Sequence, residues 1–237
     1  MADELSVAEA AAMLGVTADA VRKLAASGEL RGAKRGRDWS IDRAAVTDRL
    51  RAQPRGGRPL APATCWGVIF EWSGEPTPAG PDAALLRNAR WRGRRWLAEW
   101  DIADNASQLR LRAERETFRA HRSQIDQLND SHHLLFSGTS AAGIAGLVGG
   151  SAATVEAYAP FGARANMVRR HGLLEGPGAV TLRWVSEPVW DAISGNFDPH
   201  RDPNARHRPA PRAAILLDLL ESSDPRARRE ADRALRR

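Results

Sequence analysis

The chain has a single cysteine, Cys65, among its 237 residues. One thiol excludes an intramolecular disulfide framework and every zinc cluster built on cysteines, and with them a secreted, disulfide-stapled module. The opening Met-Ala-Asp-Glu is acidic, with neither a basic patch nor an apolar run behind it, so no secretory signal is legible. One long segment, Ser131 to Val155, lacks Asp, Glu, Lys and Arg. His132, His133 and five glycines break its apolar content, whereas a spanning helix needs about 20 mostly apolar residues. The expectation is a cytoplasmic chain with no membrane partner. No internal repeat of fixed period is present.

What remains is ordinary for a folded chain: 43% hydrophobic and 27% charged residues, which excludes wholesale disorder. At about 150 residues per domain the length predicts one to two domains. Basic residues exceed acidic ones by 35 to 29, a formal +6, which favours polyanionic partners such as nucleic acid.

The spacing predicts an α+β chain: an N-terminal winged helix-turn-helix over 1–53, a linker over 54–60, and a larger mixed α/β domain over 61–237. The linker Gln53-Pro-Arg-Gly-Gly-Arg-Pro59 holds two prolines and two glycines with no apolar residue before Leu60. In the head, Ser6 and Glu9 form a capping box that opens a helix to Leu14, and Gly15 stops it. Thr17 caps a second helix from Ala18 to Ala26, closed at Gly28. Leu5, Ala8, Ala12, Leu14, Val16, Val21 and Leu24 are expected on the inward faces. Two short helices joined by a glycine-containing turn have helix-turn-helix spacing. Leu30, Trp39 and Ile41 fit two short strands around a Gly36 turn, a wing, and Asp42 caps a third helix to about Leu50.

Leu5-Ser-Val-Ala-Glu-Ala-Ala11, Leu14-Gly-Val16, Gly28-Glu-Leu30 and Trp39-Ser-Ile-Asp-Arg43 together resemble the winged helix-turn-helix of the excisionase and MerR-like group. That group has Arg or Lys where this chain has Ala18 and Asp19, which leaves Arg22 and Lys23 as the reading side chains. From Arg22 to Arg37 six basic residues face Glu29 alone, and both lysines of the chain, Lys23 and Lys34, fall in this stretch. Thr17, Asp19, Arg22 and Lys23 on the second helix are the expected groove contacts, and Lys34, Arg35 and Arg37 on the wing the expected phosphate contacts. A patch of this size supplies mostly salt-dependent affinity, so specific binding to a promoter operator in double-stranded DNA calls for a homodimer on a symmetric site.

In the second unit Trp66-Gly-Val-Ile-Phe-Glu-Trp72 fits a strand or a helix. Asp82 to Trp100 reads as a helix that interleaves Arg87, Arg90, Arg92, Arg94 and Arg95 with Trp91, Trp96 and Trp100. The tryptophans are expected in the core with arginines around them; stacking on single-stranded nucleic acid is the alternative. Leu134 to Leu147 reads as a short strand entering a small-residue helix, where Ser137 to Ser140 allows either an anion site or tight packing, packing being preferred. Thr154 to Tyr158 and Val180 to Val185 alternate as strands, with a helix over Ala163 to His171 between them. Ala213 to Glu221 reads as an amphipathic helix, and Asp224-Pro225 opens the last one.

Leu135-Phe-Ser-Gly-Thr-Ser-Ala-Ala142, Val155-Glu-Ala-Tyr-Ala-Pro160, Val180-Thr-Leu-Arg-Trp-Val185, Pro211-Arg-Ala-Ala-Ile-Leu-Leu-Asp-Leu-Leu220 and Asp224-Pro-Arg-Ala-Arg228 resemble the C-terminal region of AbiEi-type antitoxins and related transcriptional regulators. The resemblance implies an autoregulating repressor that opposes a cognate nucleotidyltransferase toxin.

No catalytic constellation is legible. Adjacent His132 and His133 do not share one metal comfortably. Asp198, His200, Asp202 and Asn204 carry metal-compatible atoms but sit in a proline-rich loop. Cys65 has no nearby histidine, Ser137 and Ser140 lack a nucleophile elbow, and no phosphate-binding glycine loop is present. No cofactor, no metal and no enzymatic activity are expected. Two alternatives stay open: an excisionase-like recombination accessory protein, against which a tail of this size weighs, and an RNA-binding protein or enzyme with a dispersed site.

Overall fold

A computed structural model describes residues 4–36, 38–52, 59–76, 83–131, 133–143, 145–147, 153–195 and 208–237. The chain divides into two compact units, Met1–Arg58 and Pro59–Arg237, each with its own apolar core. It is an α+β protein. Most of the expected linker lies outside the described residues. Leu60 already belongs to the second unit, where its N–H donates to the Gln108 carbonyl at 3.0 Å.

The first unit opens with a strand that the sequence reading omits, β1 (Glu4–Ser6), followed by α1 (Val7–Leu14) and α2 (Ala18–Ala26). The hairpin β2 (Gly32–Arg35) and β3 (Asp38–Asp42) then leads into α3 (Arg43–Ala52). β1 and β2 flank β3, both antiparallel to it, with Leu5 opposite Ile41 and Lys34 opposite Trp39. The capping box forms as read: Glu9 N–H donates to Ser6 Oγ, and the Ser6 backbone N–H donates to the Glu9 carboxylate at 2.8 Å. The Ser6 N–H foremost, and the Ser6 hydroxyl donating to the same carboxylate at 2.8 Å, hold the Glu9 carboxyl below its ordinary range. Gly15 ends α1 at φ 65°, a left-handed conformation that a Cβ penalises.

The inward face of α1 needs correction. Ala8 and Ala12 are exposed and Val16 faces water, whereas Ala10, Ala11 and Leu14 are buried. With α1 starting directly from β1, the row that meets Leu5, Val21, Ile41 and Val46 is 10, 11 and 14, which i, i+1 and i+4 spacing places on one side.

In the second unit the ambiguous Trp66 segment is a helix, α4 (Pro62–Ser73), with proline in its first turn. Residues 64 to 70 are all buried, and a helix that is apolar all round has no face to reveal its period. It crosses α5 (Ala83–Glu99) at two glycines. A Cβ on Gly93 would stand 2.6 Å from the Gly67 carbonyl carbon, and one on Gly67 would strike the Ala89 carbonyl. The helices therefore approach backbone to backbone.

A five-stranded sheet lies in the same unit, built from β4 (Glu114–Arg119), β5 (Leu135–Phe136), β6 (Val155–Pro160), β7 (Leu174–Glu175) and β8 (Val180–Val185). Its order is β5-β6-β8-β4-β7, with β6 and β8 parallel and the other pairs antiparallel. Central β8 is buried along its whole length. The remaining helices are α6 (Arg122–Asn129), α7 (Gly138–Ala141), α8 (Arg164–Arg170), α9 (Glu187–Ser194), α10 (Arg212–Leu220) and α11 (Pro225–Leu235). Asp224 caps α11, accepting from the Arg226 N–H at 2.8 Å. The expected amphipathicity of α10 is corrected, because residues 213 to 219 are all buried, Asp218 included.

Candidate nucleic-acid interface

α2 buries Val21 and Ala25 and turns Asp19, Arg22, Lys23 and Ala26 to water. That division follows from helical spacing, since 18, 21 and 25 face α1 while 19, 22, 23 and 26 lie opposite. Thr17 is the N-cap, its Oγ1 accepting from the Ala20 N–H at 3.2 Å, so the hydroxyl oxygen is engaged in holding the helix start. Asp19 and Lys23, one turn apart, form an exposed ion pair at 3.2 Å. Such a pair contributes at most about 0.5 kcal/mol, and a phosphate displaces it readily. Arg22 is exposed beside it.

On the wing, Lys34 is exposed on β2. Arg35 ends that strand, opposite Asp38 in the ladder; its side chain and the whole of Arg37 lie outside the described residues. Of the acids near the patch, Glu29 pairs outside it, with Arg49 of α3 at 3.7 Å, whereas Asp42 pairs with Arg31 at 3.8 Å and Asp19 with Lys23, both cations of the patch. Asp42 also caps α3, accepting from the Ala44 N–H at 2.8 Å. The structure thus places Asp19, Arg22 and Lys23 on one exposed helix face and Lys34 on the neighbouring hairpin of the same unit.

The second unit holds a group of polar residues that sequence reasoning missed. Arg112, Arg183, Asp218, Tyr158 and Ser137 are all buried and meet at the Asp218 carboxylate. Asp218 accepts from Arg112 Nη2 at 2.6 Å, from the Tyr158 hydroxyl at 2.9 Å and from Ser137 Oγ. Arg183 Nε lies 2.9 Å from the same carboxylate, an ion-pair distance without hydrogen-bond alignment. Glu221 adds a second carboxylate, reaching Arg112 at 2.5 Å and Arg183 at 3.3 Å. Burial raises the Glu221 carboxyl, but the two guanidiniums outweigh it and bring it down to about 2. Burial and the Asp218 charge push the Tyr158 hydroxyl well above its ordinary value. One signal in the sequence pointed here: Arg183 and Asp218 are lone charges in otherwise apolar runs, and lone buried charges of opposite sign seek each other.

The Ser137 to Ser140 segment holds the protein's own carboxylates. Glu156 accepts from Thr139 Oγ1 at 2.7 Å and from the Thr139 N–H at 3.2 Å, so the anion there is a side chain of β6. Burial pushes the Cys65 thiol up to about 12, opposite to what a nucleophile needs. His133 is exposed. His132, Asp198, His200, Asp202 and Asn204 lie outside the described residues, among which no group of three or more His, Cys, Asp or Glu is placed to hold a metal. No helix among them is long and apolar enough to cross a membrane.

The core expectation for the α5 tryptophans holds for Trp96 alone. Its Nε1 donates to Gln108 Oε1 at 3.2 Å, whereas Trp91 and Trp100 are exposed. Trp91 lies on the side of α5 turned away from α4, and Trp100 lies just past the last turn.

No match to the chain was found among curated proteins or among solved structures. Comparison with protein families matches residues 4–54 to a helix-turn-helix domain, which spans the whole set from β1 through α3. The first unit of this chain is a helix-turn-helix domain, and the exposed face of α2 is its second-helix surface.

Proposed function

We propose that the chain is a DNA-binding transcriptional repressor that acts on its own promoter as a homodimer. α2 enters the major groove with Arg22 and Lys23 toward the bases, and Lys34, Arg35 and Arg37 follow the phosphates. The observation that carries this reading is the coincidence of a helix-turn-helix with a second helix whose exposed face presents Arg22 and Lys23. The second unit serves as the antitoxin part against a nucleotidyltransferase toxin and acts without catalysis. The resemblance of its apolar motifs to AbiEi-type regulators supports this.

The experiment is a mobility-shift titration of the full chain on the DNA directly upstream of its coding sequence. Arg22→Ala with Lys23→Ala should weaken binding and relax sequence preference. Lys34→Ala should lower affinity evenly across sequences and reduce the log–log salt slope by about 1. Equal binding by all these variants rejects the groove assignment. Selective binding to recombination attachment sites instead of the upstream DNA would favour an excisionase-like role. The antitoxin role requires that co-expression relieve the growth arrest caused by a neighbouring nucleotidyltransferase.

A further inference from the structure

The outward face of α5 carries chemistry that promoter binding leaves unused. Trp91 is 59% exposed and Trp100 is 44% exposed. Indoles offer the largest single gain on burial of any side chain, so two left in water on one helix call for an occupant. The Arg95 guanidinium lies over the Trp91 ring, 5.1 Å from its centroid. Trp91, Arg92, Arg95, Trp96, Glu99 and Trp100 line an open groove of about 200 Å³.

Charge on the helix is divided between two tasks. Arg90 and Arg94 bind Glu71 of α4 at 3.3 and 2.9 Å, and the Arg94 hydrogen bond foremost holds that carboxyl below its ordinary range. Arg87, Arg92 and Arg95 are exposed, and none of the described carboxylates pairs with them. Glu99 is the one acid lining the groove, against Arg92 and Arg95, and Arg87 stands by Trp91 in an adjoining hollow, so the surface is cationic. The Trp100 N–H donates to the Trp96 carbonyl at 2.9 Å, so helical geometry runs on to it. Nine residues are about 13 Å of rise and about two and a half turns, so the two indoles leave the helix on opposite sides and flank the groove between them, a span that a few extended nucleotides cover.

We propose that this groove along α5 is a second nucleic-acid site, specific for single strands, with Trp91 and Trp100 as base-stacking platforms on its two sides and Arg87, Arg92 and Arg95 as phosphate contacts. A duplex hides its base faces in the stack and offers the indoles nothing flat to meet. An acidic peptide answers the guanidiniums but sets hydrated carboxylates against the rings. A single strand satisfies both, since phosphates and bases alternate along it. The site rests on the second unit alone and does not require the promoter reading to hold.

The test is fluorescence anisotropy of the full chain with labelled oligo(dT) and oligo(U) of about 20 nucleotides, at low salt. Trp91→Ala with Trp100→Ala should weaken single-strand binding at least about tenfold. Trp91→Phe with Trp100→Phe should retain most of it, so a loss confined to the alanine pair reports stacking rather than folding. Removing all three arginines should reduce the log–log salt slope by about 2. Arg22→Ala with Lys23→Ala should leave single-strand binding unchanged, which separates this site from the helix-turn-helix. The tighter of the two oligonucleotides identifies DNA or RNA as the source. The proposal is overturned by absence of binding to either, by unchanged affinity in the alanine pair, or by loss with the α2 variant. Competition by polyglutamate as effective as by oligo(dT) would also overturn it, marking a general patch for anions or acidic proteins.

Discussion

Arg112 and Asp218 stand 106 positions apart in the sequence, yet Nη2 of one lies 2.6 Å from Oδ1 of the other with both side chains withdrawn from water. The pair fastens the end of the 3-10 turn over Ala106–Arg112 to the last turn of α10. Arg183 brings β8 to the same carboxylate, and Tyr158 brings β6. Buried charge is costly to desolvate, so the network is no better for stability than a well-packed apolar core. What it supplies is consequence: once built, it cannot lose one member cheaply.

Asp218→Ala should therefore destabilise the second unit by about 3–5 kcal/mol, because two guanidiniums and two hydroxyls lose their shared acceptor. Urea unfolding followed by tryptophan fluorescence reads this unit well, since seven of the eight tryptophans lie in it. A loss under about 1 kcal/mol would mean that water or Glu221 replaces the carboxylate.

Glu221 makes the same unit acid-sensitive. Its folded-state carboxyl, at about 2, lies below its value of 4.5 in an unfolded chain. The stabilisation is thus complete above the unfolded value and disappears as pH falls from there toward 2. Unfolding midpoints at about pH 6 and pH 3 should differ more for the natural chain than for Glu221→Gln. Equal differences would remove Glu221 from the account.

Cys65 should resist thiol reagents. It is fully buried, its Sγ donates to the Leu60 carbonyl at 3.4 Å, and its ionisation is pushed up to about 12. Iodoacetamide at pH 8 should label the chain only in denaturant. Rapid native labelling would show that α4 opens.

Gly67→Ala and Gly93→Ala should each cost about 1–3 kcal/mol, at the upper end because the obstacles are backbone atoms. The two changes wedge the same crossing, so the double variant should fall short of the sum. Thermal melts of the three variants decide it. A neutral Gly93→Ala would contradict the close approach.

Much of the first unit was legible because its signals are local. Ser6 with Glu9, Gly15, Thr17 and Asp42 satisfy or end helices within a few residues, and the structure uses each of them at that place. Its strand β1 was not legible, since three residues carry no period and gain their ladder only from β3. In the second unit the α4 pattern left strand and helix open and the α10 pattern misled, for one reason: a helix buried on every side presents no alternation, and Asp218 reads as a solvent residue until its partners are known.

For the candidate sites the division is similar. The sequence alone determined which residues form the cationic second helix and which tryptophans share α5 with the arginines, because helical spacing is a property of neighbours. Tertiary structure decided that Trp96 is interior while Trp91 and Trp100 face water, and that Glu71 engages Arg90 and Arg94. It also decided that Arg112, Arg183 and Asp218 meet, since burial and long-range pairing depend on which surface lies opposite, and short-range pattern holds no information about that.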